Sequence, residues 1–306
     1  MKFTVYQGSR QGSRKNNQDR VAYSYSREAM LAVLADGMGG HGGGEIAAQI
    51  VINTLMEAFQ HTAMPYLPDP FQFLSETILL AHEAIENYAT SHGLPECPRT
   101  TVVAAIAQRN VLHVAHVGDS RLSHFRDGMV LKRTEDHSKV QLMYRRGLLN
   151  LGQLGTHPER NKIYNCLGGN VKPEIELSTK LELHEGDTIL LCSDGLWSLV
   201  GDEKMAEILS GELVNMTVPK LLDLAESRAD AKSDNMSAIA LNWGGRASPR
   251  LQVSTNAMPF ASTTTILMKP HQDAAGDAPI DEAKMSDVEI EGAIAEIQNA
   301  IKKLQK

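Results

Sequence analysis

Residues 101–131, TVVAAIAQRNVLHVAHVGDSRLSHFRDGMVL, hold four short runs, 101–107, 111–117, 122–125 and 129–131, cut by Arg109-Asn110, Gly118-Asp119 and Asp127-Gly128. Apolar or alternating runs of this length between turn residues read as β-strands, and Asp-Gly is a strong two-residue hairpin signal. Strands joined by hairpins lie antiparallel. Outward from this block, residues 3–6 and 21–25 alternate in the strand manner, 30–35 is a short apolar run, and 175–183, 188–192 and 237–242 are further strand candidates. Helical spacing appears after residue 45, at Ile46, Ile50, Val51, Leu55 and Phe59. It returns over 71–91, at Phe71, Leu74, Ile78, Ala81, Ile85 and Tyr88, with Pro65, Pro68 and Pro70 breaking the chain between the two. Two shorter helices are predicted over 202–209 and 218–229. Hairpin strands with helices in pairs predict an α+β fold of antiparallel sheets covered by helices, in place of a doubly wound parallel sheet.

The chain has 306 residues and a formal charge of -7 with no long basic block, which argues against a nucleic-acid partner. Cys97, Cys166 and Cys192 stand far apart without a CxxC pair, so neither a disulfide framework nor a zinc knuckle is expected, and a reducing, cytoplasmic compartment follows. No apolar run is long enough to span a membrane. The polar, glycine-containing region 136–169 reads as a mobile flap. Composition changes after Trp243: the core is expected over 1–244, a flexible linker over 245–284, and an amphipathic helix over 285–306. Ser286 and Glu289 form a capping box for that helix. Ile290, Ile294, Ile297, Ile301 and Leu304 make a seam needing a partner, which is the core, a second copy or another protein.

Chemistry is concentrated where apolar runs end in Asp. Residues 34–45, LADGMGGHGGGE, join a strand to a helix through glycines, with Asp36 at the tip; the loop is neither a Walker motif nor a dinucleotide fingerprint. Asp119, Asp194 and Asp234 follow the same pattern, each beside Gly, Ser or Asn. One such Asp is usually a turn residue. Several together predict carboxylates converging at one edge of a sheet, where like charges need a counter-ion. Oxygen ligands without a His or Cys cluster favour Mg²⁺ or Mn²⁺ over Zn²⁺. Two such ions, roughly 3.5 to 4 Å apart, hold a nucleophilic water and clamp a phosphoryl group.

Six motifs, in order, are similar to those of one family: Arg14-x-x-Asn17-Gln18-Asp19, Asp36-Gly37-Met38-Gly39-Gly40-His41, Val117-Gly118-Asp119-Ser120-Arg121, Asp136-His137-Ser138, Ser193-Asp194-Gly195-Leu196-Trp197 and Ser233-Asp234-Asn235-Met236-Ser237. The chain resembles the metal-dependent protein phosphatases (PPM), the type 2C serine/threonine phosphatases, in their bacterial form, from residue 8 to about 242. The resemblance implies a β-sandwich of two packed antiparallel sheets flanked by helix pairs, in α-β-β-α layers, with two Mn²⁺ or Mg²⁺ ions in a cleft at one edge. It implies that Asp36 bridges both ions, Gly37 gives its carbonyl to one, Asp194 and Asp234 complete the other's shell, and Asp19 acts through metal-bound water. Arg14 would grip the substrate phosphate, since a planar guanidinium matches two phosphate oxygens. The implied activity is hydrolysis of phosphoserine and phosphothreonine on proteins by metal-activated water, opposing a Ser/Thr kinase and forming no phosphoenzyme. A phosphatase of small phosphorylated metabolites and a catalytically weak binding module of the same fold are the alternatives.

Three positions depart from the family pattern. Gln18 stands where many members carry a metal-site Glu, Met38 where eukaryotic members carry a His general acid, and Ser198 where some relatives have an Asp of a third metal site. Asp119 and Asp194 remain for a weak third ion, and His41 is the nearest replacement acid. His113, His116 and His124 lie on strand candidates outside the motifs, and Cys192, without a base in its motif, reads as a buried core thiol.

Overall fold

A computed structural model describes residues 1–39, 43–155, 157–244 and 252–268 of the chain. The described residues open with strands β1 (Lys2–Arg10), β2 (Asp19–Tyr25) and β3 (Ala29–Met38), then helices α1 (Gly43–Thr62) and α2 (Pro70–Ser91). Strands β4 (Arg99–Thr100), β5 (Val102–Gln108), β6 (Val111–Val117), β7 (Arg121–Arg126) and β8 (Met129–Arg133) follow, then the short helices α3 (Lys139–Arg145) and α4 (Leu151–Leu154). Next come β9 (Glu176–Leu177), β10 (Leu181–Glu182), β11 (Thr188–Cys192), α5 (Asp194–Trp197), α6 (Asp202–Leu209) and α7 (Val214–Arg228). The order closes with β12 (Met236–Trp243), β13 (Val253–Ser254) and β14 (Thr264–Leu267).

One sheet runs β13-β1-β12-β11-β7-β8, the other β10-β6-β5-β3-β2-β14, with β4 added to β3 and β9 to β6. Every pairing between these strands is antiparallel. Side chains alternate across a strand, so a strand apolar at every position must be covered on both faces. In β3, Met30, Ala32 and Leu34 join Val103, Leu122, Ile189, Leu191, Ile239 and Leu241 in the core between the sheets. Leu31, Val33 and Ala35 face the other way, into a second core with Val51, Leu55 and Phe59 of α1 and Leu74 and Ile78 of α2. In the first sheet, Leu190, Cys192, Ala238 and Ala240 pack with Met205, Leu209, Val218 and Leu221 of α6 and α7. Three apolar layers separate four structural ones, giving the expected α-β-β-α sandwich. Asp69 caps α2, its Oδ1 accepting from Phe71 N and Gln72 N at 3.0 Å, and Pro70 stands where no helical amide bond is lost.

Several expectations are corrected. The strand expected over 175–183 is two fragments, β9 and β10, both on β6. Helix α7 begins at Val214 instead of 218 and runs through Pro219. The missing amide bond costs roughly 3 kcal/mol, which burial of Val214, Thr217 and Val218 under the sheet offsets. The flap, 136–169, carries α3 and α4, and bridges at Ser138–Ile163 and Thr100–Leu167 tie its base down. The largest difference is in the linker expected over 245–284, because residues 252–268 are part of the sandwich. β13 pairs with β1 and β14 with β2, covering one edge of each sheet. The N-terminal ammonium donates to Thr255 Oγ1 at 2.8 Å, and Thr255 Oγ1 donates to Arg27 O at 2.7 Å. Thr265 Oγ1 meets Ser24 Oγ at 2.8 Å and accepts from Gln60 Nε2. Residues 285–306, where the terminal helix was expected, lie outside the described residues. No helix among the described residues is long and apolar enough to cross a membrane.

A chain ending at residue 268 retains this edge segment and one ending at 244 lacks it. The shorter chain is expected to melt lower by about 5 °C or more in thermal denaturation; equal melting temperatures would show that the segment adds nothing to the sandwich.

Candidate metal centre

Five carboxylates gather where strand ends of the two sheets meet. Asp19 opens β2 and Asp36 lies near the end of β3, and the two are directly paired across the ladder, which places their Cβ atoms roughly 5 Å apart. Asp119 stands in the turn between β6 and β7, Asp194 follows β11, and Asp234 precedes β12. Asp19 and Asp119 are buried, Asp36 and Asp194 half-buried, and the Asp234 side chain is 39% exposed. Five of the six sequence motifs therefore each bring one carboxylate to the cluster; Asp136-His137-Ser138 brings none, and Gly40 and His41 lie outside the described residues.

Main-chain geometry holds Asp36. Its amide donates to Thr101 Oγ1 at 3.1 Å, and its carbonyl accepts from Thr101 N at 2.9 Å and Thr100 Oγ1 at 2.8 Å. A Cβ at Gly37 would stand 2.2 Å from Gly44 O and 2.9 Å from Gln18 O, so only glycine lets the start of α1 lie against the end of β3. Asp19 Oδ2 accepts from Ser193 Oγ at 2.8 Å, while that same oxygen of Ser193 accepts from Ser237 N at 2.9 Å. Trp197 Nε1 donates to Asp119 O at 2.9 Å, Arg121 lies 3.4 Å over the Trp197 ring, and Asp136 clamps Arg121 at 2.7 and 2.8 Å. Three motifs are thus one contact chain behind Asp119. Neither threonine belonged to a motif, and Ser193 lay inside one without a role; these partners are set by tertiary approach.

The electrostatics are unfavourable for protein atoms alone. Burial raises the Asp19 carboxyl to about 6 against the hydrogen bonds from Ser237 and Ser193, with Asp234 adding to the rise. Burial, then Asp234 and Asp19, raise Asp194 to about 7. Asp36 and Asp119 lie well above the usual carboxylate range, again through burial first and neighbouring carboxylates second. The Oδ1 atoms of Asp19, Asp119 and Asp194 are buried without a hydrogen-bond partner. Unpaired buried carboxylate oxygens are costly, and an all-oxygen set of this charge matches hard divalent cations. Arg14, 57% exposed, reaches the cluster, with Nη2 2.6 Å from Asp234 Oδ2. Gln18 adds no charge; its Nε2 donates to Gly39 O at 3.4 Å.

A second group of ligand-type atoms, in His116, His137 and Glu176, lies within 4.8 Å at the flap base. Its hydrogen bonds give it another role. His137 Nδ1 accepts from Gly118 N at 3.1 Å and from Asn165 Nδ2 at 2.7 Å. Asn165 is oriented by Glu174, whose O and N take its Nδ2 and Oδ1 at 2.7 and 3.1 Å. The His137 proton therefore sits on Nε2, facing Glu176 Oε2 at 3.3 Å, and the ring has no lone pair left for a cation. His116 donates from Nε2 to Glu135 O at 2.8 Å and stacks on His137 at 4.6 Å. This joint fastens the flap to Gly118, beside Asp119. His124 bonds Asp187 Oδ2 at 2.8 Å, and His113 Nδ1 bonds Ile106 O at 3.4 Å, so both are structural.

A profile of the family described as Protein phosphatase 2C matches residues 7–226. The serine/threonine phosphatase stp of Listeria innocua is 31% identical over 201 residues, 65% of this chain and 79% of that protein. The solved serine/threonine phosphatase PstP/Ppp of Mycobacterium tuberculosis superposes with a TM-score of 0.70 at 32% identity, covering 79% of this chain and 99% of that one. A structure of the catalytic domain of PstP in complex with two manganese ions superposes at 0.64 and 30% identity, covering 78% and 98%.

The raised carboxyls give a signed pH effect. A folded-state value above the unfolded one means stability fully present below the unfolded value and lost as pH rises through the folded one. For Asp194 the loss runs from about 4 to about 7. In EDTA-treated protein, Asp194→Asn is expected to melt about 3 °C or more above the unsubstituted chain at pH 8, with the difference vanishing near pH 4. A lower melting temperature at pH 8 would contradict the repulsion.

Proposed function

The chain belongs to the protein phosphatase 2C family, and on that premise we propose that its carboxylate cluster is the binuclear Mn²⁺ or Mg²⁺ centre of a protein serine/threonine phosphatase, a phosphoric monoester hydrolase that reverses a Ser/Thr kinase. The observation that carries this reading is the set of buried, unpartnered oxygens on Asp19, Asp119 and Asp194 beside Asp36 and Asp234. Asp36, the carbonyl of Gly37, Asp194 and Asp234 would hold the two ions, with Asp19 contributing through water, the roles that the family resemblance implies for these positions. Asp119 with Asp194 would hold a weaker third ion. When bound, the cations supply an ionised water for attack on phosphorus and neutralise charge on the phosphoryl group.

The remaining work falls to the chain. Arg14, already at the carboxylate edge, takes two phosphate oxygens in its planar fork and orients the ester. Met38 has no proton to give, so protonation of the leaving alkoxide falls to another group, His41 being the nearest in sequence, or to solvent. Cys192 takes no part: it is 2% exposed, and burial pushes its thiol up to about 12. Phosphorylated proteins are the substrates, in keeping with the relatives' names; comparing turnover on phosphopeptides with that on small phosphorylated metabolites separates the two substrate classes. The catalytic unit comprises 1–244 with the edge segment 252–268, acts in the cytoplasm, and carries in 285–306 a segment for a partner or for self-association.

Asp36→Asn and Asp234→Asn are each expected to abolish aryl-phosphate hydrolysis, as is EDTA, with Mn²⁺ or Mg²⁺ restoring the unsubstituted chain only. Full activity of either variant without added metal would overturn the binuclear reading. For Arg14→Ala, steady-state kinetics on a phosphothreonine peptide are expected to show KM raised more than kcat is lowered, because Arg14 binds phosphate in the ground state. An unchanged KM would remove Arg14 from the site.

A further inference from the structure

We propose that Asn235 is a positioning residue for substrate phosphate, acting through Arg14 by stapling the β1–β2 loop to the start of β12. The proposal rests on the phosphate role given to Arg14 above. Asn235 is 4% exposed, and its whole side chain is spent on that loop's backbone. Oδ1 accepts from Gln18 N at 2.9 Å, and Nδ2 donates to Gln11 O at 2.7 Å and to Asn16 O at 3.1 Å. An amide offers two donor hydrogens and one acceptor oxygen, and all are engaged. The three anchor points bracket Arg14 on both sides. Being backbone groups, they depend on residue 235 and on no other side chain.

The rest of the loop is laid against the same segment. Gly12 has φ +63°, and a Cβ there would stand 2.2 Å from Asp234 O. Ser13 N donates to Ser233 O at 3.2 Å and to Ser233 Oγ at 3.0 Å, and Ser13 Oγ donates to Asp230 O at 3.0 Å. Gln11 Nε2 closes the loop on itself, donating to Arg14 O and Lys15 O at 2.9 and 3.0 Å. Asn235 is the buried centre of this docking. Its own main-chain amide donates to Asp234 Oδ1 at 2.9 Å, so the residue orients a carboxylate of the cluster with its backbone and the loop with its side chain. Truncating the side chain removes the anchors at Gln11, Asn16 and Gln18, which flank Arg14, and leaves the loop held at Ser13 alone, while the bond to Asp234 Oδ1 remains. The guanidinium then samples many positions, and an ordered phosphate contact becomes an occasional one.

The experiment is a double-mutant cycle on the full-length protein with Mn²⁺ and a phosphothreonine peptide, using Arg14→Ala, Asn235→Ala and the pair. Asn235→Ala is expected to raise KM about tenfold, with kcat within about twofold of the unsubstituted enzyme. The pair should show a KM no higher than Arg14→Ala alone, because the two act as one unit. The Mn²⁺ concentration for half-maximal activity should not move. An unchanged KM in Asn235→Ala, effects that multiply in the pair, or a shifted Mn²⁺ requirement would each overturn the proposal. Should Asn235→Ala fold poorly, Asn235→Ser, whose hydroxyl is too short to reach residues 11 and 18 together, carries the same expectation. If Arg14→Ala leaves KM unchanged, the phosphate role of Arg14 fails; if it raises KM while the Asn235 variants do not, only the stapling proposal fails.

Discussion

Carboxylates held together in a poorly hydrated place repel one another, and the arrangement of this chain follows from that constraint. Asp19, Asp36, Asp119 and Asp194 are all pushed up by burial first and by neighbouring carboxylates second, Asp234 being the one that raises Asp19. No single element could present them so closely. Two sheets meeting face to face do it by bringing the ends of different strands to one edge, with Asp19 and Asp36 fixed as cross-strand partners. The repulsion is stored against three apolar layers, whose fully buried side chains include Leu31, Leu34, Leu55, Ile78 and Ile106. Cations held there, as proposed, would relieve that repulsion and so favour the metal-bound state.

Rigid support behind the carboxylates comes from contacts among residues far apart in sequence. Trp197 follows β11, Arg121 opens β7 and Asp136 begins the flap, yet they form one stack ending on the Asp119 carbonyl. The adjoining joint of His137 with Gly118 and Asn165 holds the flap root against the same turn. The flap base is therefore tied directly to the turn that carries Gly118 and Asp119.

What sequence made legible was whatever depends on local period or on a carboxylate at a strand end. The apolar run of β3, the hairpin block 102–133 and the Asp junctions all carry their own signal. Thr100 and Thr101 carried none, because a hydroxyl donating to the Asp36 carbonyl and one accepting from the Asp36 amide are visible only once β3 lies beside residues 99–101. Asn235 sat within a motif, but its use as a three-point staple depends on where the 11–18 loop lies. The cluster of His116, His137 and Glu176 shows the reverse case: residue types that suggest a ligand set are assigned to another role by the direction of two N–H donors.

The edge segment was invisible for a further reason, which concerns how each sheet ends. A free edge strand is a template for pairing with another chain, and it is managed by shortness, charge or a cover. β10 has two residues and is short, while β8 ends in Lys132 and Arg133 and is charged. β1 has nine residues and β2 seven, so neither is short, and both lie on the same side of the sandwich. One segment, 252–268, covers them both with strands of two and four residues, too brief to register as a period. Its composition resembles a linker because its stability comes from main-chain pairing and a few hydroxyl contacts, with little apolar burial. Without it, the outer edges of β1 and β2, the longest such edges among the described residues, would open together beside Met1.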